Sequence, residues 1–494
     1  MSLVIGLDLG TSGIKAVLVD EADHVRAEAS RPVAVSTPHP GWSEQAPDLW
    51  CDAVADCLDA LAASHPGDMA AVSGIGLSGQ MLGSVLLDKA DRPLRPAILW
   101  NDQRALAECR TLLERVPDIG RRTNGIPDPG LTAPKLMWLA THEPDVVEAA
   151  AMLLLPKDYV RLWLTGAATS EPTDAGGTML LDIASGTWDP ALCEAVGWPI
   201  DRLPPLTKAW HSAGALRAPL AARWGLRPGL PVAAGAGDNM ACSIGVGVAR
   251  AGEAAITIGT SAVVCSVDAG FRPAPEAAML TSAHAAPDAF LSMAVVMSAT
   301  ATFAWIARLT GASVAELAAE VDAFVAEDRI AEAPLCRPSL TGVRTPHNRP
   351  DANAVLTGLT PRTDRGALGY AVLEGVAFQL RECVEAQERA GLRPHVFRAV
   401  GGGARNPLWL SLIATAIDGA IACPDVAPHA APVGAARLAL AAVEGGAPIE
   451  RLAATPKSAR TSEPVPALKA RLDERYDAYR RLPLGDADAA AGGR

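Results

Sequence analysis

The sequence is short of positive charge. Its 494 residues include 43 lysines and arginines against 55 aspartates and glutamates, which gives a formal net charge of −12 at pH 7. Such an acidic chain repels the phosphates of nucleic acids and the headgroups of anionic membranes. We therefore expect no nucleic-acid partner. A nucleotide remains compatible with this charge, because local N–H groups and Mg²⁺ can bind its phosphates.

The sequence also lacks the patterns of membrane, secreted and zinc-centred proteins. No apolar run approaches the ~20 residues of a spanning helix, and the N-terminus has no basic region followed by an apolar signal core. The nine cysteines are scattered, without a C-x-x-C pair or a histidine at zinc spacing. We expect a cytoplasmic protein with reduced thiols and no membrane partner.

The composition and length are those of a folded protein with more than one domain. Apolar residues make up 49% of the chain and charged residues 20%, which is typical of folded domains. A chain of 494 residues is too long for one ordinary domain. We predict an N-terminal domain over 1–247, a C-terminal domain over 248–484 and a disordered tail over 485–494. A homodimer is one option for its assembly.

The segment Val4–Lys15 carries the first chemical signal. An apolar run takes Asp8 to a turn, and a second apolar run follows. The turn consists of small and hydroxyl residues: Gly10, Thr11, Ser12 and Gly13. This pattern predicts a β-hairpin whose N–H and hydroxyl groups can bind phosphate, with Asp8 holding Mg²⁺ directly or through water. An ordinary structural hairpin is the alternative.

The same pattern recurs halfway along the chain. The residues Gly259, Thr260 and Ser261 again lie between two apolar runs. Two such turns, one in each half, indicate a duplicated fold that places both turns around one polyphosphate. The repeat therefore favours phosphate binding over a purely structural hairpin.

Gly74–Gly79 has the spacing G-x-G-x-x-G of a dinucleotide-binding turn. That function needs a helix directly afterwards, and the residues after Met81 predict another strand. We therefore predict a strand, a close-approach loop and a second strand, with Gln80 and Met81 at the loop tip. A polar glutamine among small residues suits a small polyol, and a structural turn is equally compatible.

A polar cluster ends the next predicted strand. Trp100, Asn101, Asp102 and Arg104 combine a flat apolar face with hydrogen-bonding groups. This combination is suited to sugar binding. The alternative, which is compatible with the first, is that Asn101 and Asp102 cap the helix that follows.

A second acid follows a glycine-rich strand end. Asp238 and Asn239 come after Leu230–Gly237, and a helix is predicted over Met240–Val248. A helix N-terminus favours the ionised carboxylate, which can accept the proton of an attacking hydroxyl. Asn239 can bond a neighbouring hydroxyl. A capping aspartate is the alternative.

Three glycines mark a possible nucleotide site in the second half. A predicted strand over Val396–Val400 leads into Gly401, Gly402 and Gly403, and a helix is predicted from Leu408. Without side chains the backbone can approach a ligand closely, and the N–H groups of the helix face it. We predict that this strand–loop–helix segment binds part of a nucleotide.

Taken in chain order, these segments resemble the FGGY carbohydrate kinases and, within that family, the xylulokinases. The matching motifs run through nearly the whole chain: D-L-G-T-S-G-I-K at 8–15, G-Q-M at 79–81, A-I-L-W-N-D at 97–102, T-A-P-K-L at 132–136, L-L-P-K-D-Y at 154–159, G-D-N at 237–239, I-G-T-S at 258–261, R-T-P-H-N at 344–348 and G-G-G-A-R at 401–405.

The resemblance implies an α/β fold of two actin-like (ribonuclease H-like) domains with a central cleft, as in the sugar kinase/actin/heat-shock ATPase superfamily. It also implies transfer of the γ-phosphate of ATP, with Mg²⁺, to a ketopentose, at the 5-hydroxyl for D-xylulose. Asp238 matches the catalytic base and Asp8 the acid that handles Mg²⁺-ATP.

The resemblance assigns further residues to subsites. The first phosphate turn is matched by Gly10, Thr11, Ser12 and Lys15, and the second by Gly259, Thr260 and Ser261. The adenosine site is matched by Gly401, Gly402 and Asn406. Substrate contacts are matched by Met81, Asp238 and Asn239. The side-chain chemistry described above makes Gln80, Trp100 and Asp102 further candidates for substrate binding.

The chain departs from the family at one substrate position. Xylulokinases usually read Q-M-H-G, whereas Leu82 stands here in place of the histidine. Loss of a hydrogen bond to a substrate hydroxyl costs about 1–3 kcal/mol and can change substrate preference. A kinase for another ketose or a pentitol is therefore an alternative. An actin-like or chaperone-like ATPase without a sugar substrate is a third, which the polar clusters at Trp100 and Asp238 disfavour.

Overall fold

The computed structural model describes residues 2–446 and 448–484, so the predicted tail over 485–494 lies outside the described residues. In this part of the chain, two large mixed sheets hold seven strands each. The N-terminal sheet contains β1 (Leu3–Leu9), β2 (Gly13–Asp20), β3 (Val25–Pro32), β4 (Val72–Gly79), β5 (Ser212–Ala215), β6 (Pro231–Ala233) and β7 (Ala236–Gly237). The C-terminal sheet contains β8 (Glu253–Ile258), β9 (Ala262–Asp268), β10 (Leu280–Ala283), β11 (Phe290–Val296), β12 (Val396–Val400), β13 (Ile421–Pro424) and β14 (Ser458–Ser462).

The two sheets repeat one topology. The N-terminal order is β3-β2-β1-β4-β6-β5, and the C-terminal order is β11-β9-β8-β12-β13-β14. In each sheet the first two pairings are antiparallel, the next two are parallel and the last is antiparallel. Strand β7 adds to β4, and β10 adds to β11. The prediction of a duplicated fold is confirmed.

Helices surround both sheets. The longer ones are α1 (Pro47–Ser64), α2 (Leu106–Arg115), α3 (Thr132–His142), α4 (Pro156–Thr165), α5 (Asp238–Gly245), α6 (Thr300–Leu309), α7 (Val314–Ala326), α8 (Arg365–Arg389), α9 (Pro407–Ile417), α10 (Ala430–Glu444) and α11 (Pro466–Tyr479). Within the described residues, no helix combines the length and apolar character needed to cross a membrane.

Shorter elements fill the connections. The short helices are Pro66–Ala70, Ile119–Arg122, Pro144–Ala149, Pro172–Ala175, Pro190–Val196, Ala218–Trp224 and Ile449–Leu452. The short strands outside the two sheets are Glu44–Gln45, Val85–Leu87, Ala97–Ile98, Met152–Leu154, Leu181–Asp182, Thr187–Trp188, Leu335–Arg337 and Val355–Thr357. The strand pattern predicted after Met81 is therefore present as Val85–Leu87.

Helix α10 comes from the second half of the chain but packs on the N-terminal sheet. A Cβ on Gly6 would lie 1.9 Å from the carbonyl oxygen of Pro432, and one on Gly76 would lie 1.9 Å from that of Ala435. The other face of α10 touches α5 equally closely, because a Cβ on Gly434 would lie 1.8 Å from the Ala241 oxygen. The glycines thus permit backbone contact, and α10 supports both β1 and α5.

Candidate active site

Asp8 and Asp238 come together at the end of the N-terminal sheet. Asp8 lies near the end of β1, opposite Lys15 of β2, and Asp238 is the first residue of α5. The Asp8 carboxylate accepts a hydrogen bond from the Ser78 hydroxyl at 2.9 Å. Desolvation raises the pKa of Asp8 above its usual value, although Ser78 and the charge of Lys15 oppose the shift.

The pKa of Asp238 is raised to about 7, first by desolvation and second by the charge of Asp8. This outcome corrects the expectation that the helix N-terminus favours the ionised form. The helix does begin at Asp238, but desolvation and Asp8 outweigh the helix dipole. The capping alternative is also wrong, since the N-cap residue is Gly237. A carboxyl that titrates near neutral pH is well matched to proton transfer.

Asn239 fixes the orientation of the Asp238 carboxyl. Its backbone N–H donates to Oδ1 of Asp238 at 2.7 Å, and its side-chain Nδ2 donates to the same oxygen at 3.0 Å. Both bonds use one oxygen. The other oxygen, Oδ2, is therefore the one suited to accept a proton.

The raised pKa of Asp238 predicts an acid limb in the pH–rate profile. The resemblance implies that Asp238 is a base, and a base must be deprotonated to act, so kcat/KM for the acceptor substrate should rise with pH through about 7 and level off above it. Steady-state rates at saturating ATP between pH 5.5 and 9 test this in the wild-type protein. A flat profile between pH 6 and 8 would contradict the assignment.

The first turn, the loop after β4 and Trp100 share one hydrogen-bond network. The Thr11 hydroxyl donates to Oε1 of Gln80 at 3.0 Å and accepts from Nε1 of Trp100 at 2.9 Å. Trp100 keeps 49% of its surface exposed. The structure thus brings together three residues predicted from separate segments. Ser12 is exposed at the tip of the same turn.

Gln45 belongs to the same network, although it was not identified as a site residue from the sequence. Its Nε2 donates to the carbonyl oxygen of Thr11 at 2.7 Å, and its Oε1 accepts from Nε2 of Gln80 at 2.9 Å. The indole of Trp50 donates to the same Oε1 at 3.0 Å. Gln45 therefore orients Gln80 and supports the turn. The sequence showed only a polar residue in a loop before α1.

The loop after β4 places Met81 and Leu82 differently. Met81 lies against the backbone just before the second acid, since a Cβ on Gly237 would be 2.6 Å from its sulfur. Leu82 has φ +72°, a conformation that favours glycine, asparagine or histidine over leucine. The side chain of Leu82 packs on Gly177, where a Cβ would meet Cδ2 at 2.2 Å.

Two buried donors hold Leu82 in this conformation. Its carbonyl oxygen accepts from the Thr132 hydroxyl at 2.9 Å and from Nζ of Lys135 at 3.0 Å. Lys135 also donates to the Ile98 oxygen at 3.3 Å, which ties this loop to the strand that leads to Trp100. Burial lowers the pKa of Lys135 to about 7.

Asp102 is fully buried and paired. Its Oδ2 accepts from the Ser43 N–H at 2.6 Å, and the Arg104 guanidinium donates to both oxygens at 2.8 and 2.9 Å. The helix-capping alternative is wrong, because α2 begins at Leu106 with Ala105 as its N-cap. The pairing anchors the loop that carries Trp100. A substrate contact of Asp102 stays a prediction.

A cavity of about 730 Å³ opens in the C-terminal half. Gly402 and Asn406 line it together with Thr300, Phe303 and residues of α7. This volume suits a nucleoside. Gly401, with φ +96°, makes the preceding turn, where a Cβ would lie 2.5 Å from the Ile258 oxygen. Asn406 caps α9 by accepting from the Trp409 N–H at 3.0 Å.

The second turn adjoins this cavity. The carbonyl oxygen of Gly259 accepts from both the N–H and the hydroxyl of Thr300, at 3.0 and 2.8 Å. The Thr260 oxygen accepts from the Ala299 N–H at 2.8 Å, and Ser261 closes the turn by accepting from Gly259 N–H at 2.9 Å. Because Thr300 also lines the cavity, the predicted second phosphate turn and the predicted adenosine site are neighbours.

Comparison with known proteins places these features in a family. Residues 3–245 match the N-terminal domain of the FGGY family of carbohydrate kinases, and residues 254–443 match its C-terminal domain. The chain is 41% identical to a xylulose kinase of Escherichia coli (strain K12) over 412 residues, which cover 83% of this chain and 84% of that protein. It is 35% identical to a xylulose kinase of Bacillus subtilis (strain 168), with 83% of each covered.

Solved structures give the same result. A xylulose kinase from Rhodospirillum rubrum is 30% identical, with a TM-score of 0.89 and 97% of both chains covered. The xyloylose kinase from Brucella ovis is 41% identical, with a TM-score of 0.92, and covers 97% of this chain and 98% of its own. The repeated topology, the two turns and these matches agree: this chain belongs to the FGGY family of carbohydrate kinases and is a sugar kinase.

Proposed function

We propose that the protein phosphorylates D-xylulose to D-xylulose 5-phosphate with ATP. The observation that carries the proposal is the position of Asp238, a carboxyl that titrates near neutrality, beside Asp8 and Asn239. The relatives named xylulose kinase support the choice of sugar. Trp100 and Asn239 supply apolar and hydrogen-bonding surface of the kind that binds a small polyol, and the buried Gln80 and Met81 lie behind it.

In this proposal Asp238 is the general base. Its Oδ2 accepts the proton of the sugar hydroxyl. The hydroxyl oxygen meanwhile attacks the γ-phosphorus in line with the leaving ADP. Asn239 holds Oδ1, which keeps Oδ2 directed at the hydroxyl. The N–H groups of the two turns and the exposed Ser12 hydroxyl, with Lys15, stabilise the negative charge that develops on the transferred group. The Thr11 hydroxyl supports the first turn, since its proton is already donated to Gln80.

Asp8 fits a Mg²⁺ ion brought by the nucleotide. It is a carboxylate whose pKa is raised by burial, and a cation beside it would favour its ionised form. Among the described residues, no group of three or more His, Cys, Asp or Glu side chains forms a protein metal site. Proteins often contribute only one carboxylate ligand to Mg²⁺ when the phosphates of the nucleotide supply other ligands. The ion would offset charge on the phosphates.

The proposal places the adenosine in the cavity beside Gly401, Gly402 and Asn406, with the phosphates directed towards the turn at Gly259. It assigns residues 1–247 and 248–484 to two domains that close around both substrates and exclude water. It also places the enzyme in the cytoplasm. All nine cysteines are free thiols, as expected in a reducing compartment.

Leu82 raises the question of which sugar the kinase prefers. If the missing histidine bond matters for D-xylulose, Leu82→His should raise kcat/KM for D-xylulose about 5- to 100-fold, the value of one hydrogen bond. Histidine also tolerates the positive φ better than leucine. Leu82→Met is the matched apolar control. Loss of turnover on another sugar in Leu82→His, without a gain on D-xylulose, would show that Leu82 serves that other sugar.

A sugar panel tests the proposed function. ADP release from Mg²⁺-ATP is measured with D-xylulose, L-xylulose, D-ribulose, L-ribulose, D-fructose, D-arabinitol, xylitol and no sugar. We expect the highest kcat/KM with D-xylulose and little release in the blank. A higher kcat/KM with another sugar would make that sugar the substrate in place of D-xylulose. ADP release that none of the sugars increases would support the ATPase alternative.

A further inference from the structure

A buried ionic cluster lies directly behind the backbone that carries Asp238. Its members are Lys157, Asp158, Arg161, Glu171 and Asp174, and all five are fully buried. Nζ of Lys157 lies 2.7 Å from Asp158, 3.2 Å from Glu171 and 3.3 Å from Asp174. Desolvation raises the pKa of Asp174 well above its usual range, and the charges of Asp158 and Glu171 raise it further against the opposing charge of Lys157. The cluster thus packs two cationic side chains against three carboxyl groups.

The cluster touches the strand end before Asp238 at two points. At the first, the Arg161 guanidinium donates to the carbonyl oxygen of Ala234 at 2.6 Å, and Asp158 holds that guanidinium at 2.9 Å. At the second, the N–H of Gly237 donates to the hydroxyl of Thr173 at 3.0 Å. The segment Ala234–Gly237 is thereby fixed at both ends.

The hydroxyl of Thr173 has a defined direction. It donates to Oε1 of Glu171 at 2.8 Å, and the same oxygen lies 3.2 Å from Nζ of Lys157. With its proton committed to Glu171, the hydroxyl can only accept from Gly237. The chain of contacts therefore runs from the Lys157 ammonium through Glu171 and Thr173 to the N–H of Gly237, the residue before Asp238. Removal of the acceptor would leave a buried N–H without a partner.

We infer that Thr173 is a positioning residue for the general base. Through Gly237 it sets the start of α5 and hence the place of the Asp238 carboxyl relative to the sugar hydroxyl. A displacement of about 1 Å at a reacting group can lower a rate by about 10²-fold. This inference rests on the proposed role of Asp238, and Thr173 itself touches neither substrate.

The expected result separates positioning from general stability. Thr173→Val keeps the volume but loses the acceptor, so kcat should fall at least about 10-fold while the KM for ATP stays within about twofold. Thr173→Ser keeps the hydroxyl and should recover most of kcat. Thr178→Val is the matched control. Thr178 is equally buried, and its hydroxyl likewise accepts a backbone N–H, but from Leu180 and not from the segment before Asp238, so kcat should stay unchanged.

A double-mutant cycle tests whether Thr173 acts through the base. In an Asp238→Asn background, Thr173→Val should lower the residual rate no further. An equal loss in both backgrounds, or a Thr173→Val kcat within twofold of wild type, would overturn the inference. If Thr173→Val does not fold, as judged by thermal unfolding, Thr173→Cys replaces it, because its thiol is a weak acceptor matched in size to serine. Normal turnover of Asp238→Asn alone would instead refute the proposed role of Asp238 as the base.

Discussion

Replacing Asp238 with asparagine lowers kcat by about 10²–10⁴-fold, the usual contribution of a general base, while the KM for ATP stays within about threefold. Asparagine keeps the shape of the side chain and an oxygen for the two Asn239 bonds, but it cannot take the hydroxyl proton. The cavity proposed for adenosine lies in the other half of the chain and is not altered. Steady-state kinetics with D-xylulose and Mg²⁺-ATP measure both parameters.

The control for this substitution is Asp288→Asn. Asp288 is exposed and has φ +50°, which asparagine also tolerates. It should retain wild-type kcat. If Asp238→Asn also retained more than a tenth of the wild-type kcat, the proton would have to leave by another route, and Asp238 would not be the base.

Replacing Asp8 with asparagine is expected to lower kcat/KM for Mg²⁺-ATP by about 10²-fold or more, because a carboxylate ligand of the metal is lost. An asparagine oxygen can still accept from Ser78, so the strand end keeps its local bond. A Mg²⁺ titration at fixed ATP should require a higher concentration for half-maximal rate. An unchanged Mg²⁺ requirement would exclude Asp8 from metal handling.

The same variant gives an independent electrostatic result. The charge of Asp8 contributes to the raised pKa of Asp238. Removing it favours the ionised base, so the acid limb of the pH–rate profile should move to lower pH. Asp288→Asn should leave the limb in place. A limb that moves to higher pH in Asp8→Asn would show that the two carboxyls do not interact as described.

Much of the fold could be predicted because its signals are local. The hairpin around Asp8, its repeat at Gly259 and the glycine turn before α9 each lie within a short segment of alternating or helical pattern. The repeat alone indicated duplication, and the two sheets share one topology. The packing of α10 on the first sheet is not recorded in any local pattern, because it joins segments more than 350 residues apart in the chain.

The electrostatics of the site could not be read from the sequence. The helix start at Asp238 was visible, but the opposing effect of Asp8 depends on a contact between residues 230 positions apart in the chain. Gln45, Ser78 and Thr173 were missed for the same reason. Each acts through hydrogen bonds to residues far away in the chain, such as that between Gly237 and Thr173, and no local pattern records such a pair.

The central claim is that Asp238 activates the 5-hydroxyl of D-xylulose for phosphoryl transfer from ATP. Proton–phosphorus correlation NMR of the reaction products tests it most directly. The account predicts a phosphate ester coupled to the methylene protons that are themselves coupled to H4, formed by the wild type and nearly absent with Asp238→Asn. Inorganic phosphate without a sugar ester, an ester at another carbon, or equal product from Asp238→Asn would contradict it.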